Sequence, residues 1–122
     1  MKIQDFKELI VWQKAKELSV LVYKLTKDFP RTEQYGLISQ IRRAAVSIPS
    51  NIAEGYGRQH IGEYVQFLYV ALGSASELET QLIISGELGY TKDDQYCIAM
   101  NMLKEIQKML NGLINSLKDK RR

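Results

Sequence analysis

The residue types that carry most enzyme and metal chemistry are sparse in this chain of 122 residues. His60 is the only histidine and Cys97 the only cysteine, whereas a metal site needs three or four converging ligands. Glu77 and Glu79 are two residues apart, so on a helix they point to different sides. We expect no cofactor, no metal site and no catalysis, with Cys97 packed inside as a small hydrophobic residue. A metal- or thiol-dependent enzyme is the alternative, and no motif favours it.

Basic side chains are the remaining candidates for a binding role. Each of them could hold an RNA phosphate by charge. Alternatively, Arg42 is simply solvated, Arg43 and Arg58 pair with acids across a subunit boundary, and the basic tail is disordered. The candidates are Arg42, Arg43, Arg58, Lys118, Lys120, Arg121 and Arg122.

The charge is distributed more unevenly than the net value of +3 suggests. Residues 1–62 carry ten basic against six acidic side chains, residues 63–94 one against six, and residues 95–122 six against two. The acidic middle is an unfavourable surface for phosphate. An acidic segment between two basic ones favours docking on something basic, including another copy of the same chain.

Apolar residues recur at alternating steps of three and four, which predicts four amphipathic helices at about 9–28, 33–56, 61–88 and 92–118. The connections are short, so consecutive helices can reverse and pack against one another. The pattern predicts a single all-α domain over residues 1–122, an antiparallel up-down-up-down four-helix bundle with a frayed tail at 119–122. The buried rows are expected to include Val11, Ala15, Leu18, Val22, Leu25 and Phe29 in the first helix and Ile38, Ile41, Ala45, Ile48 and Ile52 in the second.

The second predicted helix contains Pro49, and two glycines follow at 55 and 57. Proline lacks an N–H and crowds the carbonyl four residues back, so we expect a kink at Pro49. The alternative is that one helix ends at Ile48 and a new one begins at Pro49. Gly55 and Gly57 are expected to end the helix in left-handed conformations.

A second row of small and polar residues runs beside the apolar row of the second helix, and the third helix carries a similar row. A solvated face is one interpretation. The other is a hydrogen-bonded contact between helices or between subunits. The candidates for a subunit interface are Gln40, Ser47, Asn51, Glu54, Ser74 and Glu77.

Composition also bears on the cellular compartment. A lone cysteine cannot close a disulfide within the chain, which favours the reducing cytoplasm. No uninterrupted apolar run of about 18 residues is present, so we expect no membrane span, and the first ten residues lack the apolar segment of a signal peptide.

Four stretches of the sequence resemble a known family: VWQKA at 11–15, YGLISQIRRAAVSIPSNIAEGYGR at 35–58, FLYVALGSASELETQL at 67–82 and LGY at 88–90. They are similar to the four-helix-bundle proteins encoded in intervening sequences of bacterial 23S ribosomal RNA genes. The resemblance implies a small bacterial cytoplasmic protein that forms a ring-like homopentamer. Distant relatives are the accessory proteins of diversity-generating retroelements, which associate with RNA and a reverse transcriptase.

Together, these features predict a non-enzymatic homo-oligomer that associates with RNA through its basic surface. The alternative is a protein-interaction scaffold with no nucleic-acid role. RNA binding would weaken steeply with salt, whereas a scaffold would capture a protein partner without its basic tail.

Overall fold

The computed structural model describes residues 5–121, except for the side chains of Asp93 and Arg121. Within that part, four α-helices make up most of the chain: α1 Ile10–Thr26, α2 Leu37–Tyr56, α3 Ile61–Glu87 and α4 Asp93–Arg121. Two short 3-10 helices, Phe6–Glu8 and Arg31–Glu33, precede α1 and α2. Because α1 and α3 each pack on both α2 and α4, the chain is an all-α four-helix bundle. Its up-down-up-down order stays a prediction.

The core consists of the apolar faces that the sequence pattern predicts. Every residue of the predicted rows in α1 and α2 is buried. In α4, a strict 3-4 repeat from Leu103, Ile106 and Leu110 would bury Leu113. Ile114 is buried instead, and Leu113 is only half-buried. A straight helix has 3.6 residues per turn, so its buried face slowly moves away from a strict 3-4 repeat.

Two helix ends differ from the prediction by more than two residues, and the others lie within two residues of it. α2 begins at Leu37 instead of residue 33, because Gly36 has φ −112° and ψ −109°, outside the helical region. α4 continues to Arg121, so a frayed tail from residue 119 is wrong for residues 119–121. Lysine and arginine are good helix formers, and their charge is favourable at a helix C-terminus.

The glycines near the end of α2 do not adopt the left-handed conformation that we expected. Gly57 caps α2 with φ −78° and ψ −3°. Gly55 lies inside the helix, where a Cβ would come within 2.8 Å of the Phe67 Cβ and 3.1 Å of the Tyr64 carbonyl oxygen. Glycine is therefore needed at 55 for the close approach of α2 to α3.

α2 is one continuous helix through Pro49, so the alternative of a new helix at Pro49 is wrong, and the kink stays a prediction. Because proline has no N–H, the carbonyl of Ala45 loses its helical donor. The hydroxyl of Ser19 in α1 lies 3.0 Å from that carbonyl oxygen and 3.0 Å from the carbonyl oxygen of Ala15. Ser19 is buried, and its hydroxyl hydrogen, shared between two acceptors, replaces the donor that proline removes.

Replacing Ser19 by alanine is expected to lower the free energy of unfolding by about 1–3 kcal/mol, because the Ala45 oxygen is then buried without a full partner. In a Pro49→Ala background, residue 49 regains its N–H, and Ser19→Ala should cost less. Denaturant unfolding of the wild type, both single variants and the double variant forms a double-mutant cycle that measures this coupling. Equal costs of Ser19→Ala in the two backgrounds would contradict the role of Ser19.

Candidate functional site

Arg42 is half-buried against α1 and does not project into solvent. Its Nε donates a hydrogen bond to Thr26 Oγ1 at 2.9 Å, and its Nη2 donates to the carbonyl oxygen of Tyr23 at 3.3 Å. The guanidinium also lies 4.6 Å from the centre of the Tyr23 ring. The idea that Arg42 is simply solvated is therefore wrong. None of the ion pairs found in the described part of the chain includes Arg42, so its charge is not neutralised by a carboxylate.

Arg58 pairs with Glu54 of its own chain, with Nη2 and Oε1 3.3 Å apart, and its guanidinium lies 4.8 Å from the centre of the Phe67 ring. Both charged side chains are exposed, so the pair contributes little to stability. Pairing of Arg58 across a subunit boundary is not needed to account for its charge.

Arg43 is exposed on the other flank of α2. It lines a cleft of about 320 Å³ together with Gln40, Glu77 and Gln81. Gln81 is buried, and its Oε1 has no hydrogen-bond partner among the described residues. The cleft therefore contains a cation, Arg43, and a carboxylate, Glu77, that form none of the ion pairs found in the described part of the chain.

Near the end of α4, Lys118 contacts α3, whereas Arg42 contacts α1. The ammonium of Lys118 is 3.3 Å from the hydroxyl of Tyr69, and Lys120 is exposed. Arg121 belongs to α4, but its side chain is not described, and Arg122 lies outside the described residues. The predicted RNA-binding residues thus do not form one continuous patch.

The centre of the predicted polar row closes α2 onto α3 within one chain. The hydroxyls of Ser47 and Ser74 are 2.8 Å apart. Asn51 Nδ2 donates to the Ser47 carbonyl oxygen at 2.8 Å and to Ser47 Oγ at 3.0 Å. These three side chains are half-buried, whereas Gln40, Glu54 and Glu77 are exposed. The polar row is therefore a contact between helices at its centre and open surface elsewhere.

The structure groups Arg42 with two cations that the sequence reasoning missed. Lys27, Arg31 and Arg42 line one cavity of about 220 Å³ at the turn between α1 and α2. We name it the turn cavity. Lys27 and Arg31 lie in a connection without periodicity, so no sequence spacing could place them beside Arg42. The remaining lining residues are Thr26, Phe29, Gln34 and Ile38.

Glu33, in the same turn, is hydrogen-bonded to the connection between α3 and α4. Its Oε2 accepts a hydrogen bond from the hydroxyl of Tyr90 at 3.0 Å, and its Oε1 accepts one from the N–H of Leu37 at 3.3 Å. The hydrogen bond to Glu33 raises the pKa of Tyr90, and desolvation adds to the rise. Both oxygens of this carboxylate are thus engaged.

An open apolar groove lies between α1 and α2, with a volume of about 530 Å³. Val20, Tyr23 and Val46 line it and are between 40% and 51% exposed. Such a patch of large apolar side chains is a candidate interaction surface. We name it the α1–α2 groove, and its lining also includes Trp12, Lys16, Ser19, Pro49, Ser50 and Ala53.

The outer side of α3 is also partly apolar. Val70, Ile84 and Leu88 are between 44% and 54% exposed, and the exposed Glu77 lies between them along the helix. Gly73, in the same row, would meet nothing within 4 Å if it carried a Cβ. Residues 59–91 contain no lysine or arginine, so this face, which we name the α3 face, is acidic.

Residues with catalytic potential do not converge in the described part of the chain. Cys97 is exposed, so its predicted burial is wrong; Tyr96 and Ala99 occupy the inner side of that turn instead. His60 is exposed. Glu79 bonds to Lys104 and Gln107 of α4, and the bond from Lys104 is the main cause of its lowered pKa. Among the described residues, no three His, Cys, Asp or Glu side chains are placed to hold a metal.

Comparison with known proteins gave a family and a fold. The family model for the 23S rRNA-intervening sequence protein matches residues 7–112. A crystal structure at 1.70 Å resolution of a protein of unknown function from the S23 ribosomal protein family of Bacteroides thetaiotaomicron is similar, with a TM-score of 0.78 and 29% identity. The match covers 86% of this chain and 98% of that one. No curated protein matches.

None of the described helices is long and apolar enough to span a membrane.

Replacing Tyr90 by phenylalanine is expected to destabilise the protein at neutral pH, because Glu33 loses its donor. The pKa of Tyr90 is higher in the folded protein than its ordinary value of 10.0, so the stabilisation is complete below that value. It is lost as the pH rises through the folded pKa. Denaturant unfolding of wild type and Tyr90→Phe at increasing pH should show the difference shrinking above pH 10.0. Tyr35→Phe is the control. If the loss of unfolding free energy in Tyr90→Phe does not change with pH, the proposed effect of the Tyr90–Glu33 hydrogen bond is refuted.

Proposed function

The chain belongs to the 23S rRNA-intervening sequence protein family, and from that premise we propose that it is a non-enzymatic protein that assembles with copies of itself and associates with RNA through its basic surface. The observation that carries the assembly is the open α1–α2 groove, where three large apolar side chains are about half exposed. Burying such a surface against a partner is favourable.

A second copy of this chain is the occupant that we propose for the groove. The α3 face offers exposed Val70, Ile84 and Leu88 for apolar contact. Gly73 gives this face a flat centre, which permits close approach of another helix. Without such an approach, an exposed glycine inside a helix only lowers stability.

Charge supports the same pairing. Lys16 lines the α1–α2 groove, whereas the α3 face carries Glu77 and has no basic residue. Opposite charges on two contacting patches favour the correct partner and orientation. Because the two patches differ, the contact is head-to-tail, and such contacts close into rings or extend as filaments. The family resemblance implies a ring of five.

Association with RNA follows from repetition of weak cationic sites. In the part of the chain that the structure describes, cations such as Arg42 and Arg43 form none of the ion pairs found, but each of them alone would hold a phosphate weakly. In a ring, each of these sites is repeated once per subunit, which raises avidity for a long polyanion. A second candidate is a scaffold without nucleic-acid binding, favoured by the apolar character of the α1–α2 groove.

Replacing Gly73 by leucine is expected to reduce the oligomer to smaller species, because a bulky side chain would block the α3 face. The matched control is Gly112→Leu in α4, where a Cβ also meets nothing within 4 Å. Both substitutions improve helix propensity, so the subunit itself should stay folded. Light scattering after size-exclusion chromatography at micromolar concentration measures the mass.

Val46→Glu tests the other partner surface by placing a charge in the α1–α2 groove, and it should have the same effect as Gly73→Leu. A monomeric wild type would contradict the assembly. An oligomer that survives both substitutions would contradict the proposed pairing of surfaces. If the wild-type protein does not bind RNA even at low salt, the result would favour the alternative of a protein-interaction scaffold.

A further inference from the structure

The turn cavity concentrates positive charge that the protein itself does not neutralise. Lys27, Arg31 and Arg42 line it, and none of them takes part in the ion pairs found in the described part of the chain. We propose that the turn cavity binds a phosphate of single-stranded RNA, with Tyr35 stacking on an adjacent base. This proposal rests on the RNA association proposed above and assigns it a location.

Arg42 supplies a preorganised donor at the cavity. The Thr26 hydroxyl lies 2.8 Å from the Val22 carbonyl oxygen, to which it donates. Its oxygen can therefore accept from Arg42 Nε, and the Tyr23 carbonyl fixes Nη2. These two bonds use two of the five guanidinium N–H groups. The guanidinium is held in place by these two neutral acceptors, and its remaining N–H groups are left for a ligand. Binding a phosphate therefore needs little reordering of the Arg42 side chain.

No carboxylate is among the residues that line the turn cavity. Glu33 is engaged with Tyr90 and Leu37. Asp28 is exposed, does not line the cavity, and makes none of the ion pairs found in the described part of the chain. Lys27 and Arg31 are exposed and available. An anion in the cavity would therefore meet three cations with no opposing carboxylate in the lining.

Tyr35 is the feature that favours a single strand. It follows the cavity residue Gln34, and its side chain is 91% exposed, the most exposed large apolar residue of the described chain. Bases of unpaired nucleotides stack on such rings, and stacking tolerates any base. A duplex keeps its bases stacked inside and would gain nothing from Tyr35.

The test measures the affinity of the full-length protein for a fluorescein-labelled oligouridylate by anisotropy, over a series of salt concentrations. Lys27→Ala with Arg31→Ala should weaken binding at least tenfold at low salt. Each lost phosphate contact should reduce the slope of log affinity against log salt by about 0.7 for a single strand. Lys108→Ala in α4 is the control, since Lys108 is also exposed and does not line the turn cavity, and it should change affinity less than twofold.

Tyr35→Ala should weaken binding by roughly fivefold or more, and Tyr35→Phe should bind like the wild type, because stacking needs the ring and not the hydroxyl.

Circular dichroism and light scattering check that each variant keeps its fold and mass. If the wild type binds RNA but Lys27→Ala with Arg31→Ala behaves like Lys108→Ala, the turn cavity is refuted while the proposed RNA association stands. If the wild type does not bind, both are refuted. Equal affinity for a duplex of the same length would refute the stacking role of Tyr35.

Discussion

The hydrogen bond from Ser19 to the Ala45 carbonyl oxygen is the contact on which the arrangement of α1 and α2 depends. Pro49 removes the helical donor of that carbonyl, and a buried acceptor without a partner is costly. α1 must therefore lie close enough to α2 for a short serine side chain to reach. Pro49 also lines the α1–α2 groove, so the residue that creates the need for this contact also shapes the neighbouring surface.

On its other flank, α2 packs closely against α3. Gly55 leaves space for Phe67 and Tyr64, and the hydroxyls of Ser47 and Ser74 meet between the two helices. Short side chains on both flanks hold α2 between its neighbours while leaving depressions beside it. The α1–α2 groove, the turn cavity and the Arg43 cleft all include α2 residues. The small and polar side chains of α2 thus account both for its close packing and for the depressions beside it.

The charged residues divide the surface between two kinds of interaction. The α3 face has acidic side chains and no basic ones, which suits contact with a basic protein surface and disfavours phosphate. Cations without acidic partners lie instead at the turn between α1 and α2, where Arg42 is held by neutral oxygens. One subunit can in this way combine self-assembly on its sides with anion binding at one end of the bundle. Tyr23 belongs to both surfaces, because it lines the α1–α2 groove and holds Arg42.

The sequence by itself determined the four helices and their buried faces, because a 3.6-residue repeat fixes locally which side of a helix is apolar. The predicted apolar rows of α1 and α2 are buried throughout. Only the tertiary structure decided which contacts the polar residues beside each apolar row make. Those contacts depend on which helix lies alongside and on its relative position along the bundle axis. Arg42 was expected in solvent or on RNA, yet it bonds to Thr26 across the α1–α2 contact. Ser19, Lys27 and Arg31 gave no signal at all, because their partners are distant in sequence and only packing brings them together.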